Sequence, residues 1–189
     1  MALTKPAGSW TYADLAKLPD DGTQFEIIEG ELYEMPPPLL AHASVVIALI
    51  DLLLPLIKGM GGRLWTAPVG VFFAGADPVE PDIVVLLPGG SARRSRNGIE
   101  GPPDLLIEVL SPSNRAHDQI RKRALYANGG VREYWIVDPD AASIEIIGAD
   151  GETVQLTTAE TASVLALNSP LLGDLAADPA LLFPTDTEG

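Results

Sequence analysis

Cysteine is missing from the chain, and histidine occurs only twice. The first absence excludes disulfides, zinc–thiolate sites and thiol nucleophiles, and the second leaves too few imidazoles for a histidine-rich metal centre. Positive charge is scarce as well: 12 Lys and Arg face 26 Asp and Glu, for a formal net charge of −14. A surface of that sign repels phosphate as a whole, so any contact with nucleic acid has to come from a local exception. No basic segment leading into an apolar one opens the chain, so no secretory leader is expected. The most apolar run, residues 43–57, contains Asp51 and Pro55 and is too short to span a bilayer. It reads as a core helix, with cytoplasmic residence and no membrane partner as the expectation.

What is present is a globular composition, 47% hydrophobic and 20% charged over 189 residues, which suits one domain with a sizeable core. The expected unit is a single domain over 1–189, its core at about 11–183, ending in a short flexible C-terminal tail. Charge is unevenly spread along it. Between Arg93 and Arg132 lie 8 of the 12 basic residues and 4 of the 26 acidic ones, and nothing basic follows Arg132. That segment balances at +4 and the remainder at −18. One polarised face on an acidic body is the functional reading, and a few solvated loop arginines the plain one.

Local patterns give the element order. Thr11 followed by Asp14 is an acidic variant of the capping box and predicts a short helix that stops at 19–22. Residues 25–29 and 31–35 flank Gly30, predicting two strands joined tightly with Gly30 at positive φ. A helix is expected over 41–58, closed by Gly59, Gly61 and Gly62; it is apolar almost all round, which predicts burial rather than amphipathicity. Short β-type runs follow at 63–67, 69–73, 82–87 and 105–110, the last two continuous and apolar, as in strands covered on both faces. Between those two, 89–98 reads as a long loop carrying Arg93, Arg94 and Arg96. A helix over 115–128 and a strand over 133–137 complete a strand–helix–strand unit, and 143–147 with 153–157 predict a hairpin around Asp150-Gly151. Residues 178–183 predict a last turn of helix. The fold class is therefore α/β, of the α+β type, with a mixed sheet.

Two acids stand out against this background. Asp82 follows Pro81 at the head of an apolar strand, and Glu108 lies inside Leu105-Leu106-Ile107-Glu108-Val109-Leu110. A lone carboxylate buried there is strongly destabilising unless it is protonated, paired or bound to a cation. If both acids face the same way, a divalent cation relieves their repulsion, and two carboxylates with water and a phosphate suit magnesium or manganese. A salt bridge at a sheet edge is the plain alternative. Asp118, Lys122 and Tyr126 are spaced by four and share a helix face. One rotation of that helix turns Lys122 toward the strand ends, where its ammonium can meet charge developing on a phosphate; a helical Asp–Lys pair is the plain alternative.

Several segments then match one family in order: Phe25-Glu26-Ile27-Ile28-Glu29-Gly30-Glu31-Leu32, His42 at a helix start, Pro81-Asp82, Gly101-Pro102-Pro103-Asp104 running on to Ser111-Pro112-Ser113, Lys122-Arg123-Ala124-Leu125-Tyr126-Ala127, and Gly130-Val131-Arg132-Glu133-Tyr134-Trp135-Ile136-Val137-Asp138-Pro139. Over about 11–183 the chain resembles the Uma-two family of predicted endonucleases. That family is similar to the restriction-endonuclease-like, or PD-(D/E)XK, superfamily. The resemblance implies a restriction-endonuclease-like mixed β-sheet flanked by helices and magnesium-dependent cleavage of phosphodiesters. It makes Pro81-Asp82 the first half-motif and Glu108 the acid of the second. The lysine position two residues after that acid is Leu110 here, and the resemblance implies that Lys122 takes its place. The upstream acid would be Glu26, Glu29 or Glu31, with Glu31 preferred and Glu26 next.

The expected function is thus a Mg2+- or Mn2+-dependent endonuclease acting on nucleic acid, with DNA as the first expected substrate and a homodimer as the arrangement suited to cutting two strands. Asp82, Glu108 and the Val109 carbonyl are expected to hold the metal, with Lys122 and Glu31 completing the catalytic set. Arg93, Arg94 and Arg96 are expected to grip the backbone. Glu26, His42, Ser111, Asp118 and Tyr126 are accessory candidates. Each has a plainer role available: His42 as a helix-start cap or packing residue, Ser111 in a helix-entry turn, and Tyr126, like Trp135, in the core. Glu133 and Asp138 read as structural. Two other functions stand beside this one, a catalytically inactive nuclease-fold interaction protein and a small phosphodiester hydrolase.

Overall fold

The computed structural model describes residues 2–3, 9–11, 14, 17–18, 23–28, 30–35, 39–111, 117–159 and 163–184. Near the N-terminus, β1 (Ala2–Leu3), β2 (Gln24–Ile28) and β3 (Glu31–Met35) form an antiparallel sheet in the order β1-β3-β2. Ile28 pairs with Glu31, which leaves space only for a tight turn, and Gly30 meets that demand with φ 79°. The capping pair is present too: the Thr11 N–H and hydroxyl both donate to Asp14 Oδ2, at 3.0 and 2.7 Å. The expected stop at 19–22 lies outside the described residues.

The main sheet collects β4 (Arg63–Thr66), β6 (Ile83–Leu86), β9 (Leu105–Val109), β10 (Glu133–Asp138), β11 (Ser143–Gly148) and β12 (Thr153–Thr158) in the order β12-β11-β10-β9-β6-β4. Only β9 and β10 are parallel neighbours, so the sheet is mixed as expected. A long helix α1 (Leu40–Gly59) precedes β4, and α2 (His117–Gly129) makes the connection between β9 and β10 that a parallel pair requires. Strand alternation sorts the core into two layers. Ile83, Val85, Leu105, Ile107, Val109 and Trp135 meet Val45, Leu49, Leu53 and Ile57 of α1 on one side. Val84, Leu106, Tyr134 and Ile136 meet Tyr126 of α2 on the other. The apolar runs in β6 and β9 are continuous because both faces of these strands are covered.

Helix α1 corrects two expectations. Its buried residues, Val45, Leu49, Leu53 and Ile57, form a single four-residue stripe, while Leu40 and Ile47 are 72% and 60% exposed. The helix has one sheet to pack against, so one face is buried however apolar the others are. The run is also longer than the 43–57 span suggested: at 20 residues and a mean hydropathy of 2.3, it is long and apolar enough to cross a bilayer by length and composition. What ties it to the protein core is the stripe facing the sheet.

The segment 89–98 is more than a loop. Within it β7 (Arg93–Arg94) pairs antiparallel with β8 (Ile99–Glu100), and β8 pairs parallel with β5 (Val71–Phe72), giving a small sheet. Gly98 permits the close approach: its φ is 143°, and a Cβ there would run into the Gly70 carbonyl. A second element absent from the expected order is the hairpin of β13 (Leu165–Ser169) and β14 (Gly173–Ala177). The last turn of helix is found as α3 (Pro179–Leu182), with the Asp178 carboxylate accepting the Ala180 N–H at 2.9 Å.

Candidate active site

Glu108 stands in β9 on the side of the sheet that faces α2. It is buried, and both of its oxygens are engaged: Lys122 Nζ donates to Oε2 at 3.1 Å, and the Tyr126 hydroxyl donates to Oε1 at 2.7 Å. Lys122 and Tyr126 lie one turn apart on α2, so their four-residue spacing turns both toward the same strand. The Tyr126 ring is held by an edge-on contact with Tyr134 of β10, centroids 4.8 Å apart, and a tilted one with Phe73 at 5.9 Å. A carboxylate that apolar neighbours would otherwise expel is thereby paired, hydrogen-bonded and fixed in rotamer. Tyr126 does belong to the core, and its hydroxyl also meets the Glu108 carboxylate.

Asp82 reaches the same place from β6. Strands β6 and β9 are paired as far as Ile83↔Ile107, which puts the next residues, Asp82 and Glu108, at the same end of neighbouring strands. Beyond that pair, Leu110 donates its N–H to Val137 on the β10 side, so the Val109 N–H points to the β6 side, where the ladder has ended. Asp82 Oδ2 accepts it at 2.8 Å. The other oxygen, Oδ1, lies 3.3 Å from His42 Nε2, and the imidazole also hydrogen-bonds the Val109 backbone. His42 does not cap α1. Leu39 is at the cap position, and the His42 ring serves as the link between α1 and the strand ends.

The hydrogen bond that His42 donates to Asp82 is the main cause that lifts the His42 pKa above 6.5; burial opposes the shift, and the Asp82 charge, the Val109 bond and the Glu108 charge add to it. A histidine whose folded pKa exceeds its unfolded value stabilises the protein fully below the unfolded value, and that contribution is lost as pH rises through the folded one. Melting curves of the metal-free protein should therefore show stability declining as the pH climbs above 6.5, with that component of the slope absent from His42→Gln. Equal slopes in the two proteins would show that Asp82 and His42 are not coupled.

The other expected site residues fall into three groups. Arg93, Arg94 and Arg96 are exposed on and beside β7, and Arg93 Nη1 donates to the carbonyls of Gly90, Ser91 and Ala92, so it braces its own turn. Ser111 is half-buried just past β9. Glu29, and the side chains of Glu26, Glu31 and Asp118, lie outside the described residues. The accessory residue whose importance the sequence understates most is His42. Its signal there was position alone, a histidine at the start of an apolar helix.

A family model, Uma2, described as "Putative restriction endonuclease", matches residues 12–180. The chain belongs to the Uma2 family. Among solved structures, the Uma2 chain is similar to "a putative nuclease belonging to DUF820" from Anabaena variabilis, with 23% identity, 92% of this chain and 97% of that chain covered, and a TM-score of 0.70. The shared fold is a mixed sheet flanked by helices. No curated protein matches the chain.

Proposed function

We propose that this Uma2 protein is a divalent-metal-dependent endonuclease that hydrolyses nucleic-acid phosphodiester bonds at Asp82 and Glu108. The observation that carries this reading is the meeting of Asp82, Glu108 and Lys122 at one end of β6 and β9, with Lys122 supplied by α2 in place of a lysine at Leu110. The donors suit a small, hard cation: two carboxylates and the Val109 carbonyl, with the His42 imidazole standing against Asp82 Oδ1 as its hydrogen-bond partner. Among the described residues, no three His, Asp or Glu form a ready-made metal cluster. Water and a substrate phosphate would therefore complete the coordination, as they commonly do for magnesium.

Bound there, Mg2+ or Mn2+ would neutralise phosphate charge and make a water more acidic. The chain's own groups set the stage for the displacement. Tyr126 and Lys122 hold the Glu108 rotamer; Val109 and His42 hold that of Asp82. The Lys122 ammonium would balance charge on the phosphate oxygens as the water oxygen bonds to phosphorus and the bond to the leaving sugar oxygen breaks. DNA is the first expected substrate, and a twofold dimer would present two sites to its two strands.

The test is turnover of plasmid, single-stranded DNA, RNA and a chromogenic phosphodiester, each with Mg2+, Mn2+ or chelator. Metal-dependent cleavage of a nucleic acid is the expected result. Turnover of the small diester alone would make the protein a small-ester hydrolase. No turnover, with no calorimetric signal for either metal, would leave a nuclease fold kept for interaction.

A further inference from the structure

Between the β7–β8 hairpin and β4 runs an open groove of about 850 Å³ whose lining includes Trp65, Pro68, Glu80, Arg93, Arg94 and Arg96. Three arginines against one glutamate make up its charged lining, in a chain whose formal net charge is −14. That contrast is the local exception an acidic protein needs in order to hold phosphate. Trp65 sits on the edge strand β4, opposite Val84. Part of its ring packs on the core layer that also contains Val84, Leu106 and Tyr126, and the remainder lines the groove. An indole anchored in this way is a rigid stacking surface. One wall of the groove adjoins the strand end that carries Asp82: Thr66 pairs with Ile83, the Ala67 N–H bonds the Asp82 carbonyl at 3.1 Å, and Pro68, the next residue, lines the groove.

We infer that this groove binds a single-stranded segment of nucleic acid, with an unpaired base stacked on Trp65 and its flanking phosphates held by Arg94 and Arg96. The inference rests on the nuclease reading above and deepens it by naming the form of the substrate. In a duplex the face of each base is covered by its neighbours, so a flat aromatic beside an arginine pair is matched by a strand whose bases can splay. Arg93 contributes differently: Nη1 is spent on the Gly90, Ser91 and Ala92 carbonyls, which steadies the hairpin that presents Arg94 and Arg96. A single-strand groove also departs from the duplex-cutting dimer that the sequence suggests.

Binding can be read without turnover, by fluorescence anisotropy in chelator with a short single-stranded DNA, the same sequence as RNA, and a blunt DNA duplex. At least one single strand should bind about tenfold tighter than the duplex. Trp65→Leu, which keeps an apolar side chain against the core but removes the π face, should weaken single-strand binding by about tenfold, and Trp65→Phe should restore it to within about threefold. The Arg94→Gln/Arg96→Gln pair should flatten the dependence of log affinity on log salt by about 1.4. Melting curves identify any variant that fails to fold, and in that case the arginine pair and the duplex comparison still decide. Equal affinity for duplex and single strands, or wild-type affinity in a folded Trp65→Leu, would overturn the inference and leave the nuclease reading intact. Trp65-dependent binding without cleavage under any metal would do the reverse. Binding to no nucleic acid would overturn both.

Discussion

Glu108→Ala should lose cleavage and fold stability together, whereas Asp82→Asn should lose cleavage alone. Both substitutions remove a carboxylate from the proposed metal site, and a drop in turnover of roughly a thousandfold is expected of each. Their surroundings differ. Glu108 is the buried partner of Lys122 Nζ and of the Tyr126 hydroxyl, and Lys122 is itself only 7% exposed. Removing one member of a buried ion pair takes that charge away from the other and destabilises by about 3–5 kcal/mol. Asp82 is half-buried, and an asparagine there keeps an oxygen for the Val109 N–H, so its loss in stability should stay within about 1 kcal/mol. A double variant separates charge from shape: Glu108→Gln with Lys122→Met removes both charges, keeps an acceptor for Tyr126, and should be more stable than either single change. Denaturant midpoints of the four proteins measure the coupling. A Glu108→Ala protein that unfolds at the wild-type midpoint would mean that the carboxylate is not held in a buried pair at all.

That prediction depends on a contact which the sequence made legible only in part. The apolar setting of Glu108 announced that a partner was required, and the four-residue spacing put Lys122 and Tyr126 on one face of α2. Nothing in the spacing fixed the rotation of that face, which is set by the Tyr126–Tyr134 and Tyr126–Phe73 contacts, both made to residues outside α2. The same limit hid His42. Whether residue 42 meets residue 82 depends on how α1 lies along the sheet, and that is decided by the stripe from Val45 to Ile57 packing over β6 and β9. The β6 and β9 runs themselves were readable because a strand covered on both faces has no polar positions to confuse the pattern, Glu108 aside. The hairpin β13–β14 does carry a signal: Leu165, Leu167 and Ser169 are buried while Ala166 and Asn168 are exposed, the period-two alternation of a half-covered strand. Residues 89–98 had none. Their glycines and arginines describe a loop, and β7 forms because Gly98 lets the chain pass against Gly70.

Glu133→Ala should loosen the β13–β14 hairpin and lower stability by about 4 kcal/mol. Glu133 opens β10 and is 1% exposed, on the α1 side of the sheet with Trp135 two residues on. Its Oε1 accepts from Trp135 Nε1 and from Ser169 Oγ, each at 2.6 Å, and its Oε2 accepts the Leu171 N–H at 2.9 Å. Ser169 Oγ in turn accepts the Leu172 N–H at 2.8 Å, so one carboxylate anchors the turn between β13 and β14 to the central sheet. A buried carboxylate is tolerable here without a cation because three donors converge on it. Alanine strands all three, and each stranded donor destabilises by about 1–3 kcal/mol, with less than the full sum expected because they share one acceptor group. Glu133→Gln keeps one carbonyl oxygen and should fall between alanine and wild type. The decisive reading is local. Amide hydrogen exchange at Leu171 and Leu172 should accelerate in Glu133→Ala well before the amides of β9 and β10 do, and Trp135 emission should shift as the indole loses its acceptor. Uniform acceleration across both regions would show instead that the hairpin and the sheet open as one unit, with no separate role for the anchor.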